Sequence, residues 1–411
     1  MSDIRPSPQP AIGQKPAIEL KHVDIVFAGD GHSRRKALDM IDAGESREAI
    51  LKASGAVLGA AGVNLTVEKG EICVLMGLSG SGKSTVLRAI NGLNTTTRGQ
   101  ILVSHEGETV DVASCSPRAL RDLRQKRVAM VFQQFALLPW RTVGDNVGFG
   151  LELAGMPVAE RKSQVAQKLA MVGLTQWSEK FAHELSGGMQ QRVGLARAFA
   201  TDPDVLLMDE PFSALDPLIR AKLQDELLIL QRQVKKTIVF VSHDLDEALK
   251  LGTHIAIMEG GRVVQFGRPE DIVLHPADDY VREFVANVNP MNILTAYHVM
   301  RDMRDLAVED GWVTLQTRPA RVRLQLDGAH KVITAEVDGQ PADWLASREA
   351  NRPFPEHQPI VFWANVNAPL RHIIRAMQRD AGPVAVFDDE HRLLGVIGVR
   401  DVLTAVLHRE D

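Results

Sequence analysis

The order of apolar and polar residues predicts short strands at the start of the chain, with a helical segment between them. Residues 17–27, which include the run IELKHVDIVF, alternate in the manner of a strand, and VNLTVEKGEICVLMG holds two more strands, broken at Lys69-Gly70. Between these runs, residues 34–59 carry apolar residues at helical spacing, with Ser46 as a candidate N-cap. The pattern therefore predicts a helical insert after the first strand.

Further along, apolar strands alternate with helices. The strands are VAMVFQ, VLLMD, TIVFVS and HIAIME, and the helical runs between them include residues 117–126, 158–173 and 218–234. Short apolar strands that alternate with helices are typical of a largely parallel sheet that is buried on both faces. The expected fold class for this part of the chain is therefore α/β.

The pattern changes after a candidate linker at Asn289-Pro290. Short strands and helices follow, without any further glycine-rich turn of the phosphate-binding kind. The last part is the most regular, with a helix over PLRHIIRAMQR, strands over GPVAVFD and LGVIGV and a helix over RDVLTAVLHR. The run before it, WVTLQTRPARVRLQLDGAHKVITAEVDG, predicts strands without a helix. A separate and smaller α+β domain is expected here.

Composition narrows the class of protein. The 411 residues are 45% hydrophobic and 24% charged, which indicates a folded chain of about two or three domains. A formal net charge of -5 provides no global basic field for nucleic acid. Cys73 and Cys115 lie far apart and indicate neither a disulfide framework nor a metal site. Residues 1–16 are Pro-rich and polar, which predicts a flexible tail rather than a signal peptide, and no stretch approaches the roughly 18 apolar residues that span a bilayer.

The strongest chemical signal is the segment GLSGSGKST, residues 77–85, between the strand EICVLM and a helix. Glycines there let backbone N–H groups surround phosphate oxygens, and the helix N-terminus adds partial positive charge. Lys83 would reach the β- and γ-phosphates of a nucleotide, and Ser84 would bind Mg²⁺. The nucleotide-binding residues expected in this segment are Gly77, Ser79, Gly80, Ser81, Gly82, Lys83, Ser84 and Thr85.

Two further segments carry candidate chemistry. Asp209 ends the apolar strand VLLMD, where a carboxylate would lie near Mg²⁺, and Glu210 follows, where it would polarise an attacking water. The segment LSGGMQ opens a helix after two glycines and is a second candidate anion site, although it lacks a lysine. Its candidate binding residues are Ser186, Gly187 and Gly188.

These segments closely resemble the ATPase subunits of ABC transporters: the phosphate loop, LSGGMQQ, MDEPFSALD and the lone His243 after VFVS. The resemblance implies a P-loop ABC ATPase fold with a helical subdomain, ATP and Mg²⁺ as cofactors, and ATP hydrolysis. It implies that Gln133 senses Mg²⁺ and the attacking water, and that His243 touches the γ-phosphate. It also implies that Asp216 crosses a dimer interface and that Phe27 stacks on adenine.

The resemblance implies partners as well. Two copies would pair head to tail, so that each nucleotide lies between one phosphate loop and the LSGGM helix of the other copy. The dimer would lie on the cytoplasmic face of the membrane against integral-membrane permease subunits. A periplasmic or extracellular substrate-binding protein would deliver the substrate to these subunits. No nucleic acid is expected as a partner. The apolar stretch FALLPWRTV either packs inside the protein or docks a permease helix, and the resemblance favours docking.

The catalytic half most resembles importer ATPases for quaternary amines such as choline and glycine betaine. The insert at residues 34–59 looks like the insert of that subfamily, and so do MVFQQFALLPW, FSALDPLIR and IVFVSHDLDEALKLG. The resemblance implies an ATPase subunit that powers import of choline or glycine betaine, with substrate choice in other subunits. The alternatives are an importer ATPase for another small solute, a non-transport ABC ATPase and a nucleotide sensor without turnover.

From about residue 291 the chain resembles a pair of CBS modules, although only its second half follows the pattern. This resemblance implies a regulatory domain, against the alternatives of a dimer-stabilising domain or a degenerate remnant. The expected organisation is a flexible tail at 1–16, an ABC ATPase domain at 17–288 with the insert at 34–59 and a helical subdomain at about 134–200, and a CBS-like domain at 291–411.

Overall fold

The structure is a computed structural model. It describes residues 15–105, 108–133, 136–213, 215–286, 288–289, 291, 293–316, 320–350, 359–380 and 382–407. The chain divides into two compact units, Met1–Glu283 and Phe284–Asp411. None of the helices in the described ranges combines the length and apolar character needed to cross a membrane.

The first unit begins with a strand, two helices and two strands, and strands and helices then largely alternate. Its elements are β1 (Ile18–Phe27), α1 (Gly31–Asp42), α2 (Arg47–Ser54), β2 (Val57–Val67), β3 (Ile72–Met76), α3 (Lys83–Ile90), β4 (Arg98–His105), β5 (Glu108–Asp111), α4 (Pro117–Lys126), β6 (Val128–Val131), α5 (Val143–Leu153), α6 (Val158–Met171), α7 (Gly187–Ala200), β7 (Val205–Asp209), α8 (Pro217–Val234), β8 (Thr237–Val241), α9 (Leu245–Leu251), β9 (His254–Glu259), β10 (Arg262–Gly267) and α10 (Pro269–Leu274). Helix α11 (Asp279–Val285) begins in this unit and ends in the second.

Two sheets form the core of this unit. The six-stranded sheet has the order β10-β9-β3-β8-β7-β6, and all its neighbours are parallel except β10 and β9. Strands β3, β7 and β8 are buried at every residue, as expected for a parallel sheet covered on both faces. The α/β prediction is confirmed for this sheet.

The first strand of the chain belongs to a second sheet, which the sequence pattern does not predict. Strands β2-β1-β4-β5 form an antiparallel sheet in that order. Helix α3 lies in the core that joins both sheets, because its residues Val86, Leu87, Ala89 and Ile90 are fully buried in one cluster with strands of each. The helix that follows the phosphate loop is therefore packed against strands of both sheets.

The insert consists of two short helices, α1 and α2, which Asp30 and Ser46 cap at their N-termini. Ser46 accepts a hydrogen bond from the Ala49 N–H, as the N-cap prediction requires. The predicted helical range is wrong at its end, because residues 57–59 already belong to β2, where Val57 and Leu58 pair with β1. Backbone pairing with a neighbouring strand overrides the helical spacing there.

Helices α5, α6 and α7 form a cluster of their own, built on buried residues such as Val147, Leu169 and Val193. Helix α5 begins at the last residue of the apolar stretch FALLPWRTV and lies inside the predicted helical subdomain, although the sequence pattern does not predict it as a separate helix. Its N-cap, Thr142, accepts a hydrogen bond from the Asp145 N–H. This cluster carries the LSGGM segment at the start of α7.

The second unit contains two five-stranded sheets. Its elements are α12 (Ala296–Val299), β11 (Arg301–Asp302), β12 (Val308–Glu309), β13 (Trp312–Gln316), β14 (Val322–Leu326), β15 (Val332–Val337), β16 (Gln340–Pro341), β17 (Asp343–Ala346), β18 (Ile360–Asn365), α13 (Leu370–Arg379), β19 (Val384–Phe387), β20 (Leu393–Ile397) and α14 (Val399–Leu407). Strands β12 to β16 form an antiparallel meander in the described residues, without a helix between them, as the sequence predicts. The other sheet has the order β11-β20-β19-β18-β17.

Candidate functional site

The carboxyl ends of adjacent parallel strands bring the predicted catalytic segments to one edge of the six-stranded sheet. The phosphate loop follows β3, His243 follows β8, Asp209 and Glu210 lie at the end of β7, and Gln133 follows β6. Ligands of open α/β sheets bind at this edge, outside the carboxyl ends of the strands. The topology therefore makes these distant sequence segments neighbours.

The phosphate loop has room only for glycine at two positions. Gly77 has φ +140°, and a Cβ there would lie 2.1 Å from the carbonyl oxygen of Met258. Gly82 has φ +101°, and a Cβ there would lie 2.3 Å from the carbonyl oxygen of Gly59. Gly82 is the N-cap of α3 and has no side chain to cap it, so the first-turn N–H groups stay available to an anion.

Two polar side chains of the loop are buried within it. The Lys83 Nζ donates to the carbonyl oxygens of Gly77 and Leu78, at 2.8 and 2.9 Å, and burial lowers the pKa of this ammonium group, against the opposing effect of Glu210 and Asp209. The Ser81 Oγ is buried and has no hydrogen-bond partner among the described residues. An unpaired buried hydroxyl in an N–H-lined loop fits a phosphate oxygen acceptor.

Asp209 is buried at the end of β7 and is held by two side chains of α3. Its Oδ1 accepts from the Ser84 Oγ at 2.7 Å, and its Oδ2 accepts from the Arg88 Nε and Nη2 at 3.1 and 2.8 Å. A hydroxyl and a carboxylate oxygen in direct contact form the hard-oxygen donor set that suits Mg²⁺. Arg88 is not among the predicted residues, although it lies four residues after Ser84, on the same helix face.

Glu210 links two of the other predicted residues. Its Oε2 accepts from the Gln133 Nε2 at 3.1 Å and lies 3.5 Å from the His243 Nδ1. A cavity of about 10 Å³ adjoins Glu210, Ser242 and His243. A cavity of that size accommodates roughly one water molecule. The structure therefore brings the Gln133 amide and the His243 imidazole to the Glu210 carboxylate, and a space for roughly one water adjoins the carboxylate and the histidine.

The loop that carries His243 is anchored by a buried carboxylate that sequence reasoning missed. The Glu247 Oε1 accepts from the Gln224 Nε2 at 3.0 Å, and its Oε2 accepts from the Ser242 Oγ in a short hydrogen bond. Burial raises the pKa of the Glu247 carboxyl group, while both hydrogen bonds oppose that shift. Asp244 adds an ion pair to Arg220 at 2.9 Å. Both contacts connect the His243 loop to α8.

Phe27 lies next to the phosphate loop. It ends β1 with 46% of its surface exposed, which leaves the ring accessible. Its Cε2 and the Thr85 Cγ2 both lie close to Gly59, each 2.8 Å from where a Cβ of Gly59 would stand. An exposed ring beside the last residue of the loop is in a suitable position for stacking on a nucleotide base.

The LSGGM segment lies beside the start of α8. Ser186 is the N-cap of α7 and accepts from the Met189 N–H at 3.4 Å, and a Cβ at Gly188 would lie 3.1 Å from the Ile219 Cγ2. Asp216 is the N-cap of α8, where its Oδ1 accepts from the Ile219 N–H at 3.0 Å. The structure thus groups Asp216 with the exposed Ser186 and Gly187 on a surface of the chain.

Comparisons with known proteins agree with this geometry. The family model for the ABC transporter matches residues 60–213, and the family model for the CBS domain matches residues 357–408. The CBS match lies in the second half of the C-terminal unit, where the sequence follows that pattern. The first half, with the antiparallel meander, lies outside the match.

The relatives extend over almost the whole chain. The glycine betaine/proline betaine transport system ATP-binding protein ProV of Salmonella typhimurium is 40% identical over 95% of this chain and 97% of its own length. The glycine betaine/carnitine transport ATP-binding protein GbuA of Listeria monocytogenes is 41% identical over 96% of this chain and 98% of its own. Among solved structures, a dimeric ATP-binding cassette bound to ADP and phosphate in a post-hydrolysis state is 29% identical, with a TM-score of 0.51 over 61% of this chain and 98% of that one.

Proposed function

Because the chain belongs to the ABC transporter ATP-binding protein family, and is an ATP-hydrolysing subunit, we propose that it powers the import of a quaternary amine of the glycine betaine class. The observation that carries this proposal is the full-length similarity, at 38–41% identity, to ATP-binding proteins whose names refer to glycine betaine transport. Similarity that includes the insert and the C-terminal unit supports the subfamily more strongly than the shared ATPase motifs do. Choline remains the alternative quaternary amine.

In the proposed site, the phosphate loop binds the ATP phosphates through its backbone N–H groups, Lys83 and the unpaired Ser81 hydroxyl. Phe27 stacks on the adenine. Ser84 and Asp209, with Gln133, would hold Mg²⁺, which neutralises phosphate charge when it is bound. The contact between the Ser84 hydroxyl and the Asp209 carboxylate supports this assignment.

Hydrolysis in this proposal depends on Glu210. Its carboxylate accepts a proton from the attacking water, and Gln133 and His243 orient that carboxylate through its Oε2. The imidazole of His243 supplies a hydrogen bond to the γ-phosphate as charge develops there. A cavity lined in part by Glu210 and His243 supports the placement of a water beside this carboxylate, because it has room for roughly one water.

A second copy of the chain completes each site in the proposal. Ser186, Gly187 and Gly188 of one copy would close on the γ-phosphate held by the other, and Asp216 would lie at the same interface. Their grouping on one exposed surface supports this role, as does the dimeric state of the similar cassette. The chain would therefore act as a homodimer.

The remaining partners are membrane proteins. Trp140, in the stretch FALLPWRTV, is 72% exposed, whereas Leu137 of the same stretch packs on the cluster of α5, α6 and α7. Phe135 lies outside the described residues. An exposed tryptophan favours burial in a partner. We therefore assign Trp140 to docking on a permease subunit at the cytoplasmic face of the membrane. A substrate-binding protein outside the membrane would supply the amine.

Uptake by whole cells tests the proposal. The chain is produced with its own permease and binding protein in cells that lack other betaine importers, and entry of labelled glycine betaine, choline and carnitine is measured. We expect uptake of at least one amine, with Glu210→Gln reducing it to the level of cells without the chain. Uptake of none of the three amines, in cells where all subunits are present, contradicts the proposed substrate class.

A further inference from the structure

The insert contacts the phosphate loop through one side chain. Arg47, the first residue of α2, donates a hydrogen bond from its Nη1 to the carbonyl oxygen of Gly80. The same nitrogen would lie 3.6 Å from a Cβ at Gly80, so the guanidinium lies directly against the loop. The contact joins residues 33 positions apart in the sequence. It brings a permanent positive charge to the loop from outside the known ATPase motifs.

The insert is fixed firmly enough to hold that side chain in place. Ile50 of α2 and Ala37 and Ile41 of α1 are buried in one cluster with residues of β1 and β2. The end of α1 is held electrostatically as well, because Arg98 contacts Asp42 with two nitrogens, at 2.8 and 2.6 Å, and pairs with the buried Asp24 at 2.5 Å. Arg47 therefore extends from a packed support rather than from a loose loop.

The charge of Arg47 is not balanced locally. Across the described ranges of the chain, no carboxylate forms an ion pair with the Arg47 guanidinium, whereas Arg98 in the same region is paired with two. A guanidinium beside an anion-binding loop attracts phosphate, and the loss of its charge weakens that attraction. A charged donor on the Gly80 carbonyl also restricts a glycine-rich segment that is otherwise free to change conformation.

We propose that Arg47 is a positioning residue of the ATP site, which orders the phosphate loop through the Gly80 carbonyl and adds positive charge beside the bound phosphates. The inference rests on the proposed nucleotide site and gives the insert a part in ATP binding. The insert then contributes to ATP affinity without any contact to the transported amine. The rate of the hydrolysis step itself does not depend on Arg47, because the contact is to the loop and not to Glu210 or His243.

Equilibrium titration of the purified full-length chain with a fluorescent ATP analogue and Mg²⁺ tests the proposal. Arg47→Ala should weaken binding by about fivefold, as expected for loss of a partly exposed charged hydrogen bond. Arg47→Lys keeps a charged donor and should stay within about twofold of the natural chain, and Arg47→Gln, which keeps an uncharged donor, should lie between them. In steady-state assays, Arg47→Ala should raise the KM for ATP and change kcat by less than about twofold.

Lys52→Ala is the matched control, because Lys52 is an exposed cation on the same helix and, among the described residues, forms no hydrogen bond or ion pair with the loop. Equal nucleotide affinities of the Arg47→Ala and Lys52→Ala chains would overturn the inference. A loss of affinity in Arg47→Ala that Arg47→Lys does not restore, together with a lowered Tm of both variants, would also overturn it, because that result indicates a folding defect. Lys83→Ala separates this inference from the proposed site. If Lys83→Ala binds the analogue normally, the proposed nucleotide site itself is wrong. If Lys83→Ala loses binding, the nucleotide site stands, and the affinities of the three Arg47 variants test the role of Arg47.

Discussion

Glu210 has a backbone conformation that few residues of its type adopt. Its φ is +47°, in the left-handed region that favours glycine, and its N–H donates to the Val241 carbonyl of the neighbouring strand at 3.2 Å. Strained backbone positions are retained where the surrounding structure requires them, and they concentrate at functional sites. Here the turn directs the carboxylate toward both Gln133 and His243.

Glu210→Gln tests the proposed proton acceptor. The amide has nearly the same shape but cannot take a proton from water, so steady-state ATP hydrolysis should fall by about 100-fold or more. Nucleotide binding should be retained, because the phosphate loop is unchanged. With ATP and Mg²⁺ present, the variant should therefore accumulate as an ATP-bound dimer in size-exclusion chromatography.

A variant of the exposed Glu160 on α6, Glu160→Gln, makes the same chemical change away from the site and should hydrolyse ATP at the natural rate. If the Glu210→Gln chain hydrolyses ATP as fast as this control, Glu210 is not the proton acceptor. A monomeric Glu210→Gln chain in saturating ATP would instead contradict the proposed homodimer.

Strand β2 packs closely against the nucleotide site. Gly59 brings its carbonyl oxygen within 2.3 Å of a Cβ position at Gly82, and its own Cβ position lies 2.8 Å from both Phe27 and Thr85. The strand thus lies beside both the proposed adenine-stacking ring and the last residue of the phosphate loop. Any side chain at Gly59 forces one of these two groups to move.

Gly59→Ala should therefore weaken ATP binding by about tenfold, since overpacking of this kind costs about 1–3 kcal/mol. Titration of the purified chain with the fluorescent ATP analogue measures the effect. Gly29→Ala is the control, because a Cβ there meets nothing within 4 Å and the backbone is not left-handed. Equal affinities for the two variants would mean that neither Phe27 nor Thr85 contributes to binding from its present position.

The sequence predicts elements well where the signal is local. The glycines of residues 77–85 and the apolar strands before Asp209 and His243 each carry their pattern within a few residues, so their placement at one sheet edge follows from parallel topology. The antiparallel pairing of β1 with β2 and β4 has no comparable signal in the sequence. Alternation of apolar and polar residues indicates that a segment is a strand, but it does not indicate which other strand it pairs with. The contact from Arg47 to Gly80 depends on how the insert packs, and no spacing rule predicts it.

At the scale of the whole molecule, the second unit holds a cluster of aromatic rings. In the second unit, Phe387 packs edge to face against Trp344 and Trp363, with ring centroids 5.8 and 6.2 Å apart. Trp312 has the Arg323 guanidinium over its ring, at 4.8 Å from the centroid. A trimethylammonium cage needs several aromatic faces turned to one space. These rings are engaged with each other or with arginine instead.

The purified chain should therefore show no saturable heat of binding with choline, glycine betaine or carnitine in calorimetry at concentrations up to about 1 mM, the range of weak specific affinity. ATP with Mg²⁺ in the same preparation serves as the positive control and should give a clear binding heat. Substrate choice would then lie in the membrane and binding subunits, and closure of the ATPase dimer would supply only the energy. Saturable binding of an amine would contradict this division of roles. Loss of that binding in Trp344→Ala would locate the amine in the second unit, where the aromatic rings lie close together.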